Sequence, residues 1–322
     1  MSASSFEPDL EGQLLRARIA WFYFVGGQTQ QQVADRLGVT RLRVNRIIGQ
    51  VRAEGSVVVD LRLPLVDCVA LEDALRERFR LRDASVLPTL DDAHQMQRVI
   101  GEAAGRMVER HLEHHKGIGV GWGQTLSHVA RCIFSPHDDL THVVGLMGAA
   151  PRATGSNTIE VATAIANALG MECHYLTAPL YCHSQRTRQA LLTDEELAAT
   201  MHMAEGVEVA LISAGDLSPL SSVMQLRRAK EAREALLELG AVGDILGCFL
   251  DAQGEIVDHP LNRTAVALNP AALRNKPVSV LASDGINKLT IIRASLRGGY
   301  VNNLVTDEQT ALALLDTAPQ ER

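Results

Sequence analysis

Two periodicities divide the chain near residue 64. Ahead of it, apolar residues recur at helical spacing. Gln13 to Val25 carries Leu14, Leu15, Ala17, Ile19, Trp21, Phe22 and Phe24 in a wide apolar face, which Gly26-Gly27 ends. From Gln28 to Glu54, QTQQQVADRLGVTRLRVNRIIGQVRAE predicts two short helices meeting at a sharp turn, on a grid that starts at Gln30. Ala34 is small enough for a close helix crossing, and Gly38 suits a left-handed turn. Val39, Val44 and Ile47 supply the apolar contacts, and Thr40 is placed to cap the second helix. At about 100° per residue, Val44, Ile47, Ile48 and Val51 share one face. Leu42, Asn45, Arg46 and Gly49 lie opposite. The β-branched run SVVVDLRLP then predicts a wing strand that stops at Pro64.

Val66–Arg82 reads as a further helix, with Val69, Leu71, Leu75 and Phe79 at helical spacing, either a connector or a dimer helix. From Ala84 short β runs alternate with amphipathic helices. The predicted strands are Ser85–Leu87, Ile118–Val120, His142–Leu146, Glu172–Leu176, Val207–Ile212, Ile245–Leu250, Val266–Leu268 and Val278–Ala282. The predicted helices are Gln95–Leu112, Thr125–Cys132, Ile159–Leu169, Asp194–Ala204, Ala229–Leu239, Ile286–Leu296 and Asp307–Leu315. Such alternation implies a parallel sheet covered on both faces, which binds ligands at the carboxyl ends of its strands. The expected fold is an N-terminal all-α winged helix-turn-helix plus a C-terminal α/β parallel-sheet domain. Residues 1–12 are expected as a disordered leader, 13–63 as the winged helix-turn-helix, 64–82 as the connector or dimerisation helix, and 83–322 as the ligand-binding body.

Charge sharpens this division. The net charge of −7 argues against a nucleic-acid partner until its distribution is considered. Gln13–Arg62 holds eight arginines against three acids, a surplus of +5, while the first 12 residues carry −3 and the rest −9. A basic module joined to an acidic body places the phosphate-seeking field at one end. Double-stranded DNA is the partner that fits the module, with Gln30, Thr40, Arg41, Leu42, Arg43, Asn45 and Arg46 as candidate contacts. Arg41 and Arg46 are suited to phosphates or guanine edges, and Asn45 and Leu42 to base reading. The bland alternative is a two-helix corner in a larger core, which needs no cationic outer face. Five scattered cysteines with no CxxC pair suit a reducing cytoplasm. No apolar run reaches the eighteen or so residues of a membrane span, and the acidic N-terminus lacks the basic region of a secretory signal.

Two glycine-bearing loops are candidate ligand sites. Gly117-Ile-Gly-Val-Gly-Trp-Gly-Gln-Thr-Leu126 runs from strand to helix, where free amides and the helix dipole favour an anion. It lacks the Gly-Lys-Ser/Thr of a Walker A loop and is a poor dinucleotide fingerprint. Its alternative is a tight turn with no ligand. Ser283-Asp-Gly-Ile-Asn-Lys288 repeats the arrangement, with Lys288 either near a bound anion or simply solvated. Gly145–Gly148, Ser213–Asp216 and Gly243-Asp244 are small or polar strand ends. Asp244 is a candidate acceptor for sugar hydroxyls or an ordinary turn residue, with His259, Asn262 and Arg263 adding polar capacity nearby. His111, His114 and His115 have ligand-like spacing but close a helix without a neighbouring carboxylate, so no metal site is expected. Neither a Gly-x-Ser-x-Gly elbow nor HExxH occurs, leaving hydrolase chemistry without a foothold.

Four segments in this order resemble the SorC/DeoR-type sugar-binding transcriptional regulators of bacteria, over nearly the whole chain. They are QTQQQVADRLGVTRLRVNRII, GVGWGQTL, GDILGCFLDAQG with NRTAVAL, and SDGINKLTIIRASLRGGYVNNLVTDEQTALALL. The resemblance implies a body folded like sugar-phosphate isomerases and deaminases, retained as a sensor. It also implies a cytoplasmic homodimer or homotetramer, no cofactor, and DNA affinity that responds to a phosphorylated sugar or polyol. The ligand set it implies is Gly121, Trp122, Gly123, Gln124, Thr125, Gly148, Asp244, Asp284 and Lys288. Of these, Gly123, Gln124, Thr125 and Lys288 would hold phosphate and Asp244 hydroxyls. Leu42, Asn45 and Ser283-Asp284-Gly285 depart from the family pattern, which bears on the ligand's identity more than on its class. Two other readings remain at this point: a sugar-phosphate isomerase or deaminase carrying a DNA-binding module, and a regulator sensing an unphosphorylated polyol or sugar acid.

Overall fold

A computed structural model describes residues 10–54, 65–112, 115–133, 142–150 and 157–316. The chain forms two compact units, Met1–Pro64 and Leu65–Arg322. In the first, α1 (Leu10–Ala20) passes through a π-helical turn at Trp21–Val25 and leads to α2 (Gln30–Leu37) and α3 (Arg41–Ala53). The helix begins at Leu10, so residues 10–12 belong to it and not to a leader. Its apolar face is narrower than the spacing predicts: Ile19 is buried, but Leu14 and Trp21 are 52% and 57% exposed. At Trp21 the wider π turn rotates the aromatic run relative to an ordinary helix.

Thr29 and Gln32 form a reciprocal capping box at the start of α2, the Gln32 side chain accepting from the Thr29 amide at 2.8 Å. Gly38 stops the helix in the left-handed region, at φ 66° and ψ 30°. The Thr40 hydroxyl then accepts from the Arg43 amide at 3.3 Å and opens α3. Ile19, Val33, Ala34, Val44, Ile48 and Val51 close a small core beneath these helices. The predicted wing strand lies outside the described residues.

The second unit opens with α4 (Val66–Phe79), followed by β1 (Asp83–Leu87), α5 (Ala93–Leu112), β2 (Gly117–Val120), β3 (His142–Gly145), α6 (Thr158–Leu169) and β4 (Glu172–His174). Next come α7 (Gln185–Leu192), α8 (Glu195–Gly206), β5 (Val209–Ile212), β6 (Ala214–Gly215), α9 (Arg227–Glu238), β7 (Ala241–Ile245) and β8 (Cys248–Asp251). The unit ends with α10 (Pro260–Thr264), β9 (Val278–Ala282), α11 (Leu289–Arg297), β10 (Asn303–Asp307) and α12 (Glu308–Leu315). Seven strands form one parallel sheet in the order β1-β10-β9-β5-β2-β3-β4. Strands β2, β5, β9 and β10 are buried throughout, because helices cover both faces. α4 packs on β1 and α12, and its Cys68 and Leu75 join the core of the body. Its Glu72 carboxylate accepts from the Val86 amide at 2.9 Å, so the segment read as a connector or dimer helix packs into the second unit.

Several predicted elements change. The run Ile245–Leu250 is two antiparallel strands turned at Leu246-Gly247, and these join β6 in a separate three-stranded sheet. Val266–Leu268 forms no strand: Ala267 makes a single bridge to Met147, and Ala265 just before the run makes one to Tyr181. Thr125–Cys132 is a 3-10 helix over Leu126–Cys132. β10 and α7 were not anticipated.

Candidate functional site

In the first unit, the outer face of α3 carries the residues that spacing placed there. Arg41, Leu42, Arg43, Asn45 and Arg46 are exposed, Leu42 at 79%, and the opposite face is sealed into the small core. The unit's arginines separate into two groups. Arg16 pairs with Glu54, while Arg36 and Arg52 lie over the rings of Phe22 and Phe24. Arg41, Arg43 and Arg46 have no ion-pair partner among the described residues, which leaves them available to phosphate. Gln30 reaches from α2 to Asn45, its amide nitrogen donating to Asn45 Oδ1 at 3.3 Å, and so fixes how both amides face outward. Thr40 is occupied mainly as the cap of α3.

The second site follows from the sheet order. The chain leaves β2 toward β3 and β4 on one side, while β5, β9 and β10 continue on the other, so the order reverses between β2 and β5. Ligand crevices of parallel sheets open at the carboxyl ends of such strands. A cavity of about 410 Å³ lies there, lined by the segments that follow β1, β2, β5, β9 and β10. It gathers Gly121, Trp122, Gly123, Gln124, Thr125, Asp244, Asp284 and Lys288 from the residues predicted by sequence. Gly148 is not among them. A side chain there would meet the Ala178 carbonyl at 2.6 Å, so this glycine serves close backbone packing away from the cavity.

The β2 loop is held by its own neighbours. Gly123 has φ +136°, and a Cβ on it would stand 2.6 Å from Ser213 Oγ, which donates to the Trp122 carbonyl at 2.8 Å. The loop feeds a 3-10 helix that α5 approaches closely through Gly101 and Gly105, where a Cβ would strike the Thr125 and Val129 carbonyls. Lys288 ends a short 3-10 turn after β9 and has no partner among the described residues.

Asp244 is set opposite Gly215 by the pairing of β6 with β7. It is only 3% exposed; Oδ2 accepts from the Gly247 amide at 3.0 Å, while Oδ1 is buried without a partner. Burial pushes its carboxyl up to about 7, with the Asp216 charge adding to the rise and the Gly247 amide and Lys288 opposing it. Burial also raises Asp284, against the pull of Lys288, and its Oδ1 has no partner. Asp307 behaves oppositely. Burial would raise it, but hydrogen bonds from Thr310, Thr89 and the Gly285 amide outweigh that and hold the carboxyl low.

Sequence reasoning missed part of this wall. Asp216 lines the cavity, accepting from Ser218 and from the Asn287 amide nitrogen at 2.7 Å. Its strand-end position was a usable signal. Thr89, Asp307 and Gln309 line it too; Asp307 and Gln309 went unseen because β10 did, and Thr89 although its strand β1 was predicted. His259, Asn262 and Arg263 are used within the fold instead: His259 caps α10, Asn262 bonds to the backbone of Phe249 and Val257, and Arg263 pairs with the Asp258 side chain. Among the described residues no cluster of His, Cys, Asp and Glu is arranged to hold a metal.

The family model Sugar-bind, a sugar-binding domain, matches residues 64–316. The erythritol catabolism regulatory protein EryD of Brucella abortus (strain 2308) is 30% identical over 313 residues, covering 94% of this chain and 96% of EryD. The transcriptional regulator LsrR of Escherichia coli (strain K12) is 32% identical over 307 residues, with 93% of each chain covered. The crystal structure of the full-length sorbitol operon regulator SorC from Klebsiella pneumoniae shares the fold, with a TM-score of 0.74 and 23% identity over 95% of this chain and 100% of SorC. No helix among the described residues is long and apolar enough to cross a membrane. With the match spanning the whole body and the relatives spanning both units, the chain belongs to the SorC/DeoR-type sugar-binding transcriptional regulators.

Proposed function

We propose that the chain is a cytoplasmic DNA-binding regulator, not an enzyme, whose operator affinity is set by a phosphorylated sugar or polyol in the cavity of the second unit. The observation that carries this reading is the convergence, in one cavity, of Lys288, the Gly121–Thr125 loop and the unsatisfied Asp244 oxygen. A phosphoryl group fits between the lysine and the amides that open the 3-10 helix, and hydroxyls fit Asp244. The names of EryD and SorC, which concern erythritol and sorbitol, support small polyols as the chemical class. In the first unit, Arg41, Arg43 and Arg46 contact DNA phosphates or guanine edges, while Asn45 and Leu42 read bases, Leu42 by apolar contact of the kind a thymine methyl offers. The regulator acts as a homodimer or homotetramer, which gives two recognition helices per operator.

Thermal-shift titration of the full chain with paired free and phosphorylated polyols tests the reading. The phosphorylated member should stabilise the protein, and Lys288→Ala should abolish that shift. An undiminished shift in the variant removes Lys288 from the site, and stabilisation by the free polyol alone removes the phosphate.

A further inference from the structure

Gly285 links the turn that carries Lys288 to α12. Its carbonyl accepts from the Lys288 amide at 2.9 Å, which closes that short turn. Its own amide donates to Asp307 Oδ1 at 3.2 Å and to Thr310 Oγ1 at 3.0 Å. Asp307 is the cap of α12, and its Oδ2 accepts from the Thr310 amide at 3.3 Å and from the Thr89 hydroxyl at 2.7 Å. Thr89 accepts in turn from the Gln309 amide at 2.9 Å. The segments after β1 and β9 and the first turn of α12 are thus tied at one buried carboxylate. α12 packs on α4, with Ala311 and Leu314 sharing a core with Cys68 and Leu75. The Glu72 bond to the Val86 amide gives α4 a second tie, through β1, to the segment that holds Thr89.

We infer that Asp307 and Thr310 are positioning residues that carry occupancy of the cavity from Lys288, through Gly285 and α12, to α4, the helix with which the second unit begins. This rests on the proposed function and names its route of coupling. Hydrogen bonds to a carboxylate are the strong class, and a buried donor left unmade is costly. A lysine drawn toward a bound anion therefore takes α12 with the Gly285 peptide rather than parting from it. α12 and α4 share one packed core, and close-packed side chains transmit a shift instead of absorbing it. Leu65, just before α4, is left-handed at φ 67° without being the glycine that such a backbone favours. The point where the two units join along the chain is thus strained, and an unstrained backbone is open to it.

Anisotropy of the full chain on a fragment from its own promoter, with and without a saturating probe, reads the coupling. Isothermal titration reads probe affinity. The probes are the monophosphates of erythritol, ribitol and glucitol. Thr310→Val removes one acceptor of the Gly285 amide, Glu72→Ala cuts the tie through β1, and neither residue lines the cavity. Each variant should keep probe affinity within ~3-fold and lose at least ~3-fold of the native coupling factor, the scale of one hydrogen bond. The double variant should lose the coupling altogether. Thr310→Ser keeps the hydroxyl and should couple like the native chain. Should Thr310→Val fail to fold, Glu72→Ala carries the same test. A merely structural role would lower probe affinity or melting temperature and leave the coupling factor as it was, and that result overturns the relay. Native coupling that survives in the double variant overturns it while leaving the functional reading intact. If no probe binds or shifts operator affinity in the native chain, the functional reading fails and this inference with it.

Discussion

Asp244 shows how the fold sets the chemistry of one residue. β-pairing with Gly215 places it, and burial then raises its carboxyl to about 7 from an ordinary value of 3.8. Below pH 3.8 the group is protonated in both folded and unfolded chains and adds nothing to the pH dependence. As pH rises toward 7, the unfolded chain ionises and the folded chain keeps its proton. Asp244 therefore makes the ligand-free protein lose stability through that window and level off above it. Melting curves from pH 4 to 8 should show a gentler decline for Asp244→Asn, with a gain of up to about 4 kcal/mol at pH 8. An identical profile would contradict the assignment. Hydroxyl donors favour the ionised form, so effector affinity should rise more steeply from pH 6 to 8 in the native chain than in the variant, where only the second ionisation of the phosphoryl group remains. The recognition face offers a second residue-scale test. Arg46→Ala should weaken operator binding about 10-fold at low salt and reduce the salt slope by ~1, as read by fluorescence anisotropy. Unaltered affinity and slope would take Arg46 out of the interface. The exposed positions of Leu42, Asn45 and Arg46 and the cavity position of Lys288 were legible in the chain because a turn glycine and a strand end mark them. Asp216 was seen only as a strand end, because the bond that fixes its second oxygen comes from Asn287, 71 residues away in sequence.

At the scale of elements, β5 and β9 read clearly because both of their faces are covered and their sequences are apolar apart from Ser279. The hairpin between β7 and β8 did not. Its turn uses Leu246 at φ 53° followed by Gly247 at φ 73°, in place of the Asn-Gly or Asp-Gly that announces such a turn. The run therefore reads as one strand, and the position of Asp244 opposite β6 is lost with it. β10 was hidden by polar residues: Asn303, Thr306 and Asp307 are buried, and while Asp307 accepts from Thr89, Thr310 and the Gly285 amide, Asn303 Oδ1 and Thr306 Oγ1 have no partner among the described residues. α5 affords a test of how elements hold the site. Gly101→Ala would drive a methyl to within 2.2 Å of the Thr125 carbonyl, on the segment that carries Gln124 and Thr125. The variant should lose about 2 kcal/mol of stability and bind the polyol phosphate several-fold more weakly. Full affinity at a lowered melting temperature would show that the loop keeps its geometry without α5.

For the whole molecule, charge and fold divide the labour. The basic surplus of residues 13–62 sits in the unit that presents Arg41, Arg43 and Arg46, and the acidic remainder sits in the unit that holds the cavity. An effector that binds one arrangement of the chain more tightly than another must shift DNA affinity by the same factor by which DNA shifts its own binding. The direct measurement is the operator dissociation constant, by anisotropy on a fragment from the chain's own promoter, with and without a saturating polyol monophosphate. The expected change is roughly 5- to 150-fold, the usual span of allosteric coupling, and it disappears in Lys288→Ala. An operator affinity that is the same with and without the bound effector would contradict it.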